Sequence, residues 1–245
     1  MSSTDSIFSA GSPARQVTEP TAGAKAFTDP RAVSSYVSDT PRKVPGLADL
    51  HRMATLLLDE HARKAAHILV VGAGGGLELK AMAEARPDWR FDGIDPSAAM
   101  LDIARQVTAS HAERIALFEG TVDEGGAGPY DGATCLLTLH FLDRQTRLHT
   151  LKEIRWRLKP GGVIVVAHHA APDGTAGLWL ERSAAFANRA DAGRAGAAAS
   201  AKAMRAHLPL LAPDEEEALL REAGFSAPAL FYAAFSFRGW VAIAD

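Results

Sequence analysis

Val70 and Val71 run straight into Gly72-Ala73-Gly74-Gly75-Gly76, and this apolar run ending in clustered glycines narrows the possible folds more than any other stretch of the chain. Residues 67–71 read as a short buried strand, and residues 77–85 as a helix that stops before Pro87. Glycines between a strand and a helix permit a tight turn and let a ligand approach bare backbone at the strand's carboxyl end. The ligand site is therefore expected at the carboxyl edge of a sheet.

The same alternation repeats along the chain. Residues 89–94 read as a second strand, Ser97 as the cap of a helix reaching about residue 110, and residues 115–118 as a third strand. Residues 131–137 form the expected fourth strand, Asp143 caps a helix to residue 158, Lys159-Pro160-Gly161-Gly162 turns the chain, and residues 163–167 form a fifth. Strands alternating with helices imply an α/β fold, a parallel sheet with helices on both faces. Residues 229–237 and 240–244, rich in aromatic and β-branched side chains around Arg238-Gly239, suit an antiparallel pair at the end.

Additions flank this core. Residues 1–24 are dominated by Ser, Thr, Ala, Gly and Pro and are expected to be a flexible tail, leaving 25–245 as one domain. Helical spacing at 27–36 and 47–61 places two helices before the first strand. An alanine-rich stretch at about 175–210 carries Arg182, Arg189, Arg194, Lys202 and Arg205 against Glu181 and Asp191, and reads as an inserted helical cap. Its charge fits either a lid that recognises anions or a solvated face, and its alanines fit either close helix packing or a homodimer contact. The acidic run at 214–217 opens a helix that Gly224 closes, an architectural use of charge.

Composition excludes several classes. The net charge of −3 lacks the basic excess typical of nucleic-acid binding, so nucleic acid is a disfavoured partner and a small-molecule substrate the expected one. No apolar stretch approaches the roughly 20 residues that cross a bilayer, and no secretion signal opens the sequence, so no membrane association and a cytoplasmic location are expected. The single cysteine, Cys135, sits in an apolar run and is expected to be an inert core residue.

Counting from Gly72, a dinucleotide fingerprint needs a sixth-place glycine where Leu77 stands, whereas Gly76 completes G-x-G-x-G, which favours S-adenosyl-L-methionine over a nicotinamide. Asp95, at the end of the second strand, offers an acceptor pair for both hydroxyls of an adenosine ribose. With Pro96 and Ser97 it also suits the start of the next helix, and the two roles are compatible.

Val71 to Gly76, Gly93-Ile94-Asp95-Pro96-Ser97, Gly120-Thr121-Val122 and Leu158-Lys159-Pro160-Gly161-Gly162 together resemble the class I S-adenosylmethionine-dependent methyltransferases. The resemblance implies a Rossmann-like sheet of seven strands, mostly parallel, with the last antiparallel. It implies S-adenosyl-L-methionine as cofactor, with adenine beside Thr121 and Val122 and the methionine part near Gly72 and residues 136–140. The cofactor-binding set so implied is Gly72, Ala73, Gly74 and Gly76 in the turn, with Asp95, Pro96 and Met100 after the second strand. Thr121, Val122 and Leu136 complete it, and Tyr36 is placed to cover the ligand or to pack in the core. Val70 stands where an acidic residue often ends the first strand, and Thr121 where an aspartate often contacts the adenine amine, a role open to Asp123.

Val44-Pro45-Gly46, Thr138-Leu139-His140-Phe141-Leu142 and the tail at 217–244 are similar to the carboxy-S-adenosylmethionine synthases of wobble-uridine modification. Those enzymes carry an arginine for the extra carboxylate in the inserted region. Here Ala203 falls near that place, between Lys202 and Arg205.

Methyl transfer mainly requires a nucleophile aligned opposite sulfur. Where the acceptor must lose a proton, His140 after the fourth strand is the candidate base, with His168 and His169 after the fifth behind it; each is equally explained as a packing residue. If the two adjacent histidines extend the strand, they are not expected to point inward together. With no His-x-x-x-His or cysteine cluster, no metal is expected. A carboxy-S-adenosylmethionine synthase and a non-catalytic cofactor-binding partner subunit stand as alternatives to a small-molecule methyltransferase.

Overall fold

The computed structural model describes residues 30–172, 174–188 and 193–245. The expected tail, residues 27–29 of the first expected helix, and Arg189 and Asp191 of the cap lie outside the described residues. Two helices come first, α1 (Pro30–Lys43) and α2 (Leu47–Asp59). The alternating core follows: β1 (His67–Val71), α3 (Leu77–Ala85), β2 (Arg90–Asp95), α4 (Ala98–Val107), β3 (Ile115–Glu119), β4 (Tyr130–Leu136), α5 (Arg144–Arg157) and β5 (Leu158–His169). The cap supplies α6 (Ala176–Asn188) and α7 (Gly193–His207), and α8 (Pro213–Glu222), β6 (Phe225–Ala234) and β7 (Phe237–Ala244) close the chain.

The strands form one seven-stranded sheet in the order β3-β2-β1-β4-β5-β7-β6. β1 to β5 pair in parallel, and β7 runs antiparallel to both β5 and β6. The period-2 alternation of β1 explains why both sheet faces are covered. Leu69 and Val71 pack in a cluster with Leu151 and Ile154 of α5 and Leu219 and Leu220 of α8. Ile68 and Val70 pack in another with Leu50, Ala54 and Leu58 of α2 and Leu79 and Met82 of α3. Both faces of this strand are therefore interior, which accounts for its unbroken apolar sequence.

Several expectations need correction. The first helix continues beyond Tyr36 to Lys43. The helix after β2 ends at Val107 and passes into a tighter helical turn over Ala109–Arg114. Lys159 to Gly162 lie within the run of β5, where the register with β4 jumps from Tyr130↔Leu158 to Gly132↔Val163 and Gly161 takes φ 76°. The closing hairpin turns at Phe235 and Ser236, with Phe235 at φ 52°, rather than at Arg238-Gly239. Gly239 sits inside β7 because a Cβ there would lie 3.0 Å from the Phe231 ring: close packing, not a turn, requires it.

His168 and His169 are both buried, on opposite faces of β5, since helices cover each face. His168 approaches Glu216 of α8, and His169 Nδ1 lies 2.7 Å from the Ser236 hydroxyl and stacks on Phe237. In the cap, α6 packs on α7 and Ala197 and Ala201 are buried, so part of the alanine signal is close helix packing. Arg182 lies over the Trp179 ring at 4.4 Å. Among the described residues no helix is long and apolar enough to cross a membrane.

Behind the sheet lies a buried ionic centre. Glu216 and Arg147 are 2% and 0% exposed and hydrogen-bond each other directly, while Arg147 Nη2 also donates to the Leu142 and Pro209 carbonyls at 3.1 and 3.0 Å. His168 Nε2 stands 3.0 Å from the same carboxylate oxygen. These neighbours hold the Glu216 carboxyl below its ordinary range although burial alone would raise it. Glu216→Ala leaves Arg147 charged and buried without its partner, which is expected to cost about 3–5 kcal/mol in urea unfolding. A loss under about 1 kcal/mol contradicts that account.

Candidate functional site

The strand order reverses between β1 and β4, so the carboxyl ends of these neighbours diverge and leave a crevice, the position at which open α/β sheets take ligands. The glycine turn forms one wall. Gly72, Gly74 and Gly76 have φ of 74°, 50° and 78°, the left-handed region that side chains disfavour. Space imposes the same choice: a Cβ on Gly72 would lie 1.9 Å from Thr138 Oγ1, and one on Gly76 would lie 2.9 Å from the Ala104 Cα. The Gly72 and Ala73 N–H groups both donate to the Ile94 carbonyl, at 2.8 and 2.9 Å, tying the turn to β2.

Asp95 completes that tie. Its Oδ2 accepts from the Gly74 N–H and its Oδ1 from the Ser97 N–H, each at 2.9 Å. Each oxygen keeps further acceptor capacity. Burial pushes the carboxyl up, and the Ser97 and Gly74 N–H groups pull it back. The side chain therefore braces the turn and the start of α4, where Ser97 caps the helix through Met100 N at 3.3 Å.

A small cleft, open to solvent, lies beside the turn, lined by Gly72, Ala73, Leu136 and Leu137 with Tyr36 and Thr40 of α1, Leu47 and His51 of α2, and Leu77 and Glu78 of α3. Tyr36 packs directly on the glycines: a Cβ on Gly75 would lie 2.5 Å from its ring, and one on Gly74 would lie 3.0 Å from its hydroxyl. Burial, then the nearby Glu78 and Asp95 carboxylates, push its phenol up to about 12, so it stays neutral. Met100 is buried with Cε 3.6 Å from the would-be Gly74 Cβ, and Pro96 is exposed at the rim.

Among the cleft residues that sequence reasoning missed, Glu78 and His51 are the two that titrate. Glu78 is 6% exposed, and its Oε1 has no hydrogen-bond partner. Burial pushes its carboxyl up to about 7, against a partial downward pull from the Thr134 hydroxyl. His51 is buried and pushed down to about 4, hence neutral. Val70, where the family often has an acid, packs in the apolar cluster under α2 and α3, so the buried acid of this cleft comes from α3 instead.

The remaining expected residues are placed differently from one another. Val122 is buried in the core, and the exposed Thr121 caps a helical turn, donating its hydroxyl to Glu124 Oε2 at 2.8 Å and to Asp123 Oδ2 at 3.1 Å. His140 is 5% exposed and does not line the cleft; its ring lies 5.0 Å from that of His169, and Nδ1 has no partner. Burial, with the neighbouring His169, His168 and Arg147, drives it well below the ordinary imidazole range, which makes it a weak base. Cys135 is buried with its thiol pushed up by burial. Asp123, His149 and Glu153 bring three potential metal ligands together at the surface. His149 already pairs with Asp123 at 2.9 Å and Arg157 with Glu153 at 2.5 Å, so ion pairing accounts for that group.

Residues 69–164, which contain the turn, Asp95 and β4, match the methyltransferase domain family. The seven-stranded sheet with its antiparallel last strand accompanies that match, and in both respects the chain is similar to the class I S-adenosyl-L-methionine-dependent methyltransferases. It is similar to the carboxy-S-adenosyl-L-methionine synthase of Campylobacter lari, 28% identical over 139 residues that cover 57% of this chain and 59% of the relative. It is also similar to the malonyl-acyl-carrier protein O-methyltransferase of Halalkalibacterium halodurans, 26% identical over 153 residues covering 57% of this chain and 55% of that protein. The chain thus spans less than two thirds of the length of these relatives. Among solved structures, the pyocyanin biosynthetic protein PhzM has a TM-score of 0.65 at 21% identity, covering 92% of this chain and 62% of its own. PigF, solved with SAH, gives 0.65 at 18%, covering 92% and 63%. At these identities the two structures share the fold.

Glu78 gives the ligand-free protein a pH signature. Its carboxyl titrates at about 7 in the folded chain against an ordinary 4.5, so the stability it contributes is full below 4.5 and is lost as pH rises through about 7. The raised pKa corresponds to on the order of 3 kcal/mol. In urea unfolding of parent and Glu78→Gln, the difference is expected to move by about that much in favour of the variant between about pH 5 and about pH 8. A difference independent of pH contradicts the assignment.

Proposed function

We propose that this chain is a methyltransferase that binds S-adenosyl-L-methionine against the glycine turn and transfers its methyl group to a small-molecule acceptor. The observation that carries the reading is the pairing of the turn with Asp95, a carboxylate fixed by two backbone N–H groups at the end of β2 with lone pairs to spare. Such a carboxylate suits a ribose diol. The turn, with no side chains at Gly72, Gly74 and Gly76, accepts a ligand lying on the backbone. Tyr36 would cover the ligand from α1 and Met100 would pack beneath it; Ala73 and Leu136 would meet it in the cleft, and Pro96, Thr121 and Val122 would meet it beyond the ends of β2 and β3.

When bound, the cofactor would supply an electrophilic methyl group on a sulfonium, with the sulfur as a good leaving group for a nucleophilic acceptor. The chain's contribution is alignment and exclusion of water. His140 is a poor proton acceptor where it sits, which favours an acceptor that loses its proton to solvent or needs no base. A small acceptor fits a cleft walled by α1 and α2 and the net charge of −3. We further propose one domain from residue 25 onward with the helical cap as an insertion, acting in the cytoplasm.

Similarity to carboxy-S-adenosyl-L-methionine synthases favours a second reading, in which the bound nucleoside carries an added carboxylate. Against it, Lys202, Ala203 and Arg205 of α7 are exposed and none lines the cleft. Mass spectrometry of the nucleoside extracted from purified protein separates the two: the added carboxylate supports the second reading and its absence the first.

Asp95→Ala is expected to weaken S-adenosylhomocysteine binding at least roughly ten-fold in titration calorimetry, the cost of losing hydrogen bonds to a charged acceptor. It should also abolish transfer of isotope-labelled methyl to acceptors in a metabolite extract. Parent-like binding by the variant contradicts the reading.

A further inference from the structure

Glu78 is a buried acid that neither the fold nor the transfer chemistry uses. It lies in the first turn of α3, two residues beyond Gly76, and lines the cleft with Gly72, Ala73 and Leu136. It is 6% exposed, with Oε1 unpartnered. A buried carboxyl without a counter-charge is costly, and either keeps its proton or takes up a cation. We propose that Glu78 is the anionic anchor for the α-ammonium group at the amino-acid end of the cofactor, an assignment that rests on the cofactor reading above.

The groups facing Glu78 leave that role to a ligand. No lysine or arginine lines the cleft among the described residues. From α1 comes the Tyr36 phenol, held neutral at about 12; from α2 His51 of the same lining, neutral because burial takes it to about 4; and from β4 the Thr134 hydroxyl and the neutral Cys135 thiol. None supplies positive charge. Asp95 stands on the Gly74 side of the turn and Glu78 on the side of Gly72 and Leu136. A nucleoside whose sugar meets Asp95 and whose side chain passes Gly72 and Leu136 therefore brings its amino-acid end to Glu78. The two carboxylates receive the two ends of one ligand and fix its direction in the cleft.

Binding is then linked to a proton. Glu78 holds one in the free protein below about 7, and an ammonium beside it favours the carboxylate, so the proton leaves to buffer as the ligand enters. Affinity for a ligand with the ammonium should rise as pH climbs toward 7 and then level off.

The test compares two uncharged-sulfur probes on the full chain by titration calorimetry. S-adenosylhomocysteine carries the amino-acid end, 5′-methylthioadenosine lacks it, and neither is a sulfonium, so the comparison isolates the ammonium and carboxylate. In buffers of different ionisation enthalpy at about pH 6.5, S-adenosylhomocysteine is expected to release more than half a proton and 5′-methylthioadenosine none. Glu78→Gln should weaken the former about ten-fold, leave the latter unchanged and abolish the release. Equal effects on both probes, or no proton release from the parent with S-adenosylhomocysteine, overturn the assignment. The proton count needs no variant, so it decides the matter even if Glu78→Gln does not fold. Failure of the parent to bind either probe overturns the cofactor reading itself, a different outcome from loss of the ammonium anchor alone.

Discussion

Asp95 grips two backbone N–H groups, and the geometry of the site follows from that grip. One belongs to Gly74, in the turn after β1, and the other to Ser97, at the start of the helix after β2. A turn with three glycines in the left-handed region would otherwise have many conformations open to it, because glycine loses more freedom on folding than any other residue. The carboxylate holds it in one. Both oxygens keep acceptor capacity beside that turn, so the group that stabilises it is the one proposed to meet the ribose of a ligand.

The electrostatics of the cleft extend this logic. One buried carboxylate, Glu78, lines it and a second, Asp95, braces the glycine turn beside it, while the Tyr36 phenol and the His51 imidazole in the lining are neutral. Such a cleft is short of positive charge. A ligand bearing its own cation and hydroxyl donors complements it better than an anion would, as the proposed nucleoside sulfonium does. The ionic centre of Arg147, Glu216 and His168 lies among α5, α8 and β5, and its charges are matched within the protein.

The strand and helix alternation was legible in the sequence because the central strands β1, β4 and β5 are apolar on both faces and each helix of the core follows a clear break. Asp143 and Ser97 were readable as caps, and both side chains accept the N–H bonds expected of caps. Gly239 misled because a glycine demanded by the Phe231 ring looks the same in sequence as a glycine in a turn. The adjacent histidines lie on opposite faces, as strand alternation requires, and both are buried because helices cover each face. Glu78 was missed for a deeper reason: an acidic residue in the first turn of a helix is favoured by the helix dipole anywhere on a surface. Nothing in the sequence shows that α1 and α2 fold over this one and bury it. The nearest signal was its place two residues after the last glycine of the turn.

The most direct test is a crystal structure of the protein soaked with S-adenosylhomocysteine. The account predicts electron density for the ligand along the glycine turn, with the ribose hydroxyls within hydrogen-bond distance of Asp95. Density for the sugar elsewhere, with Asp95 still bound only to Gly74 and Ser97, would contradict it.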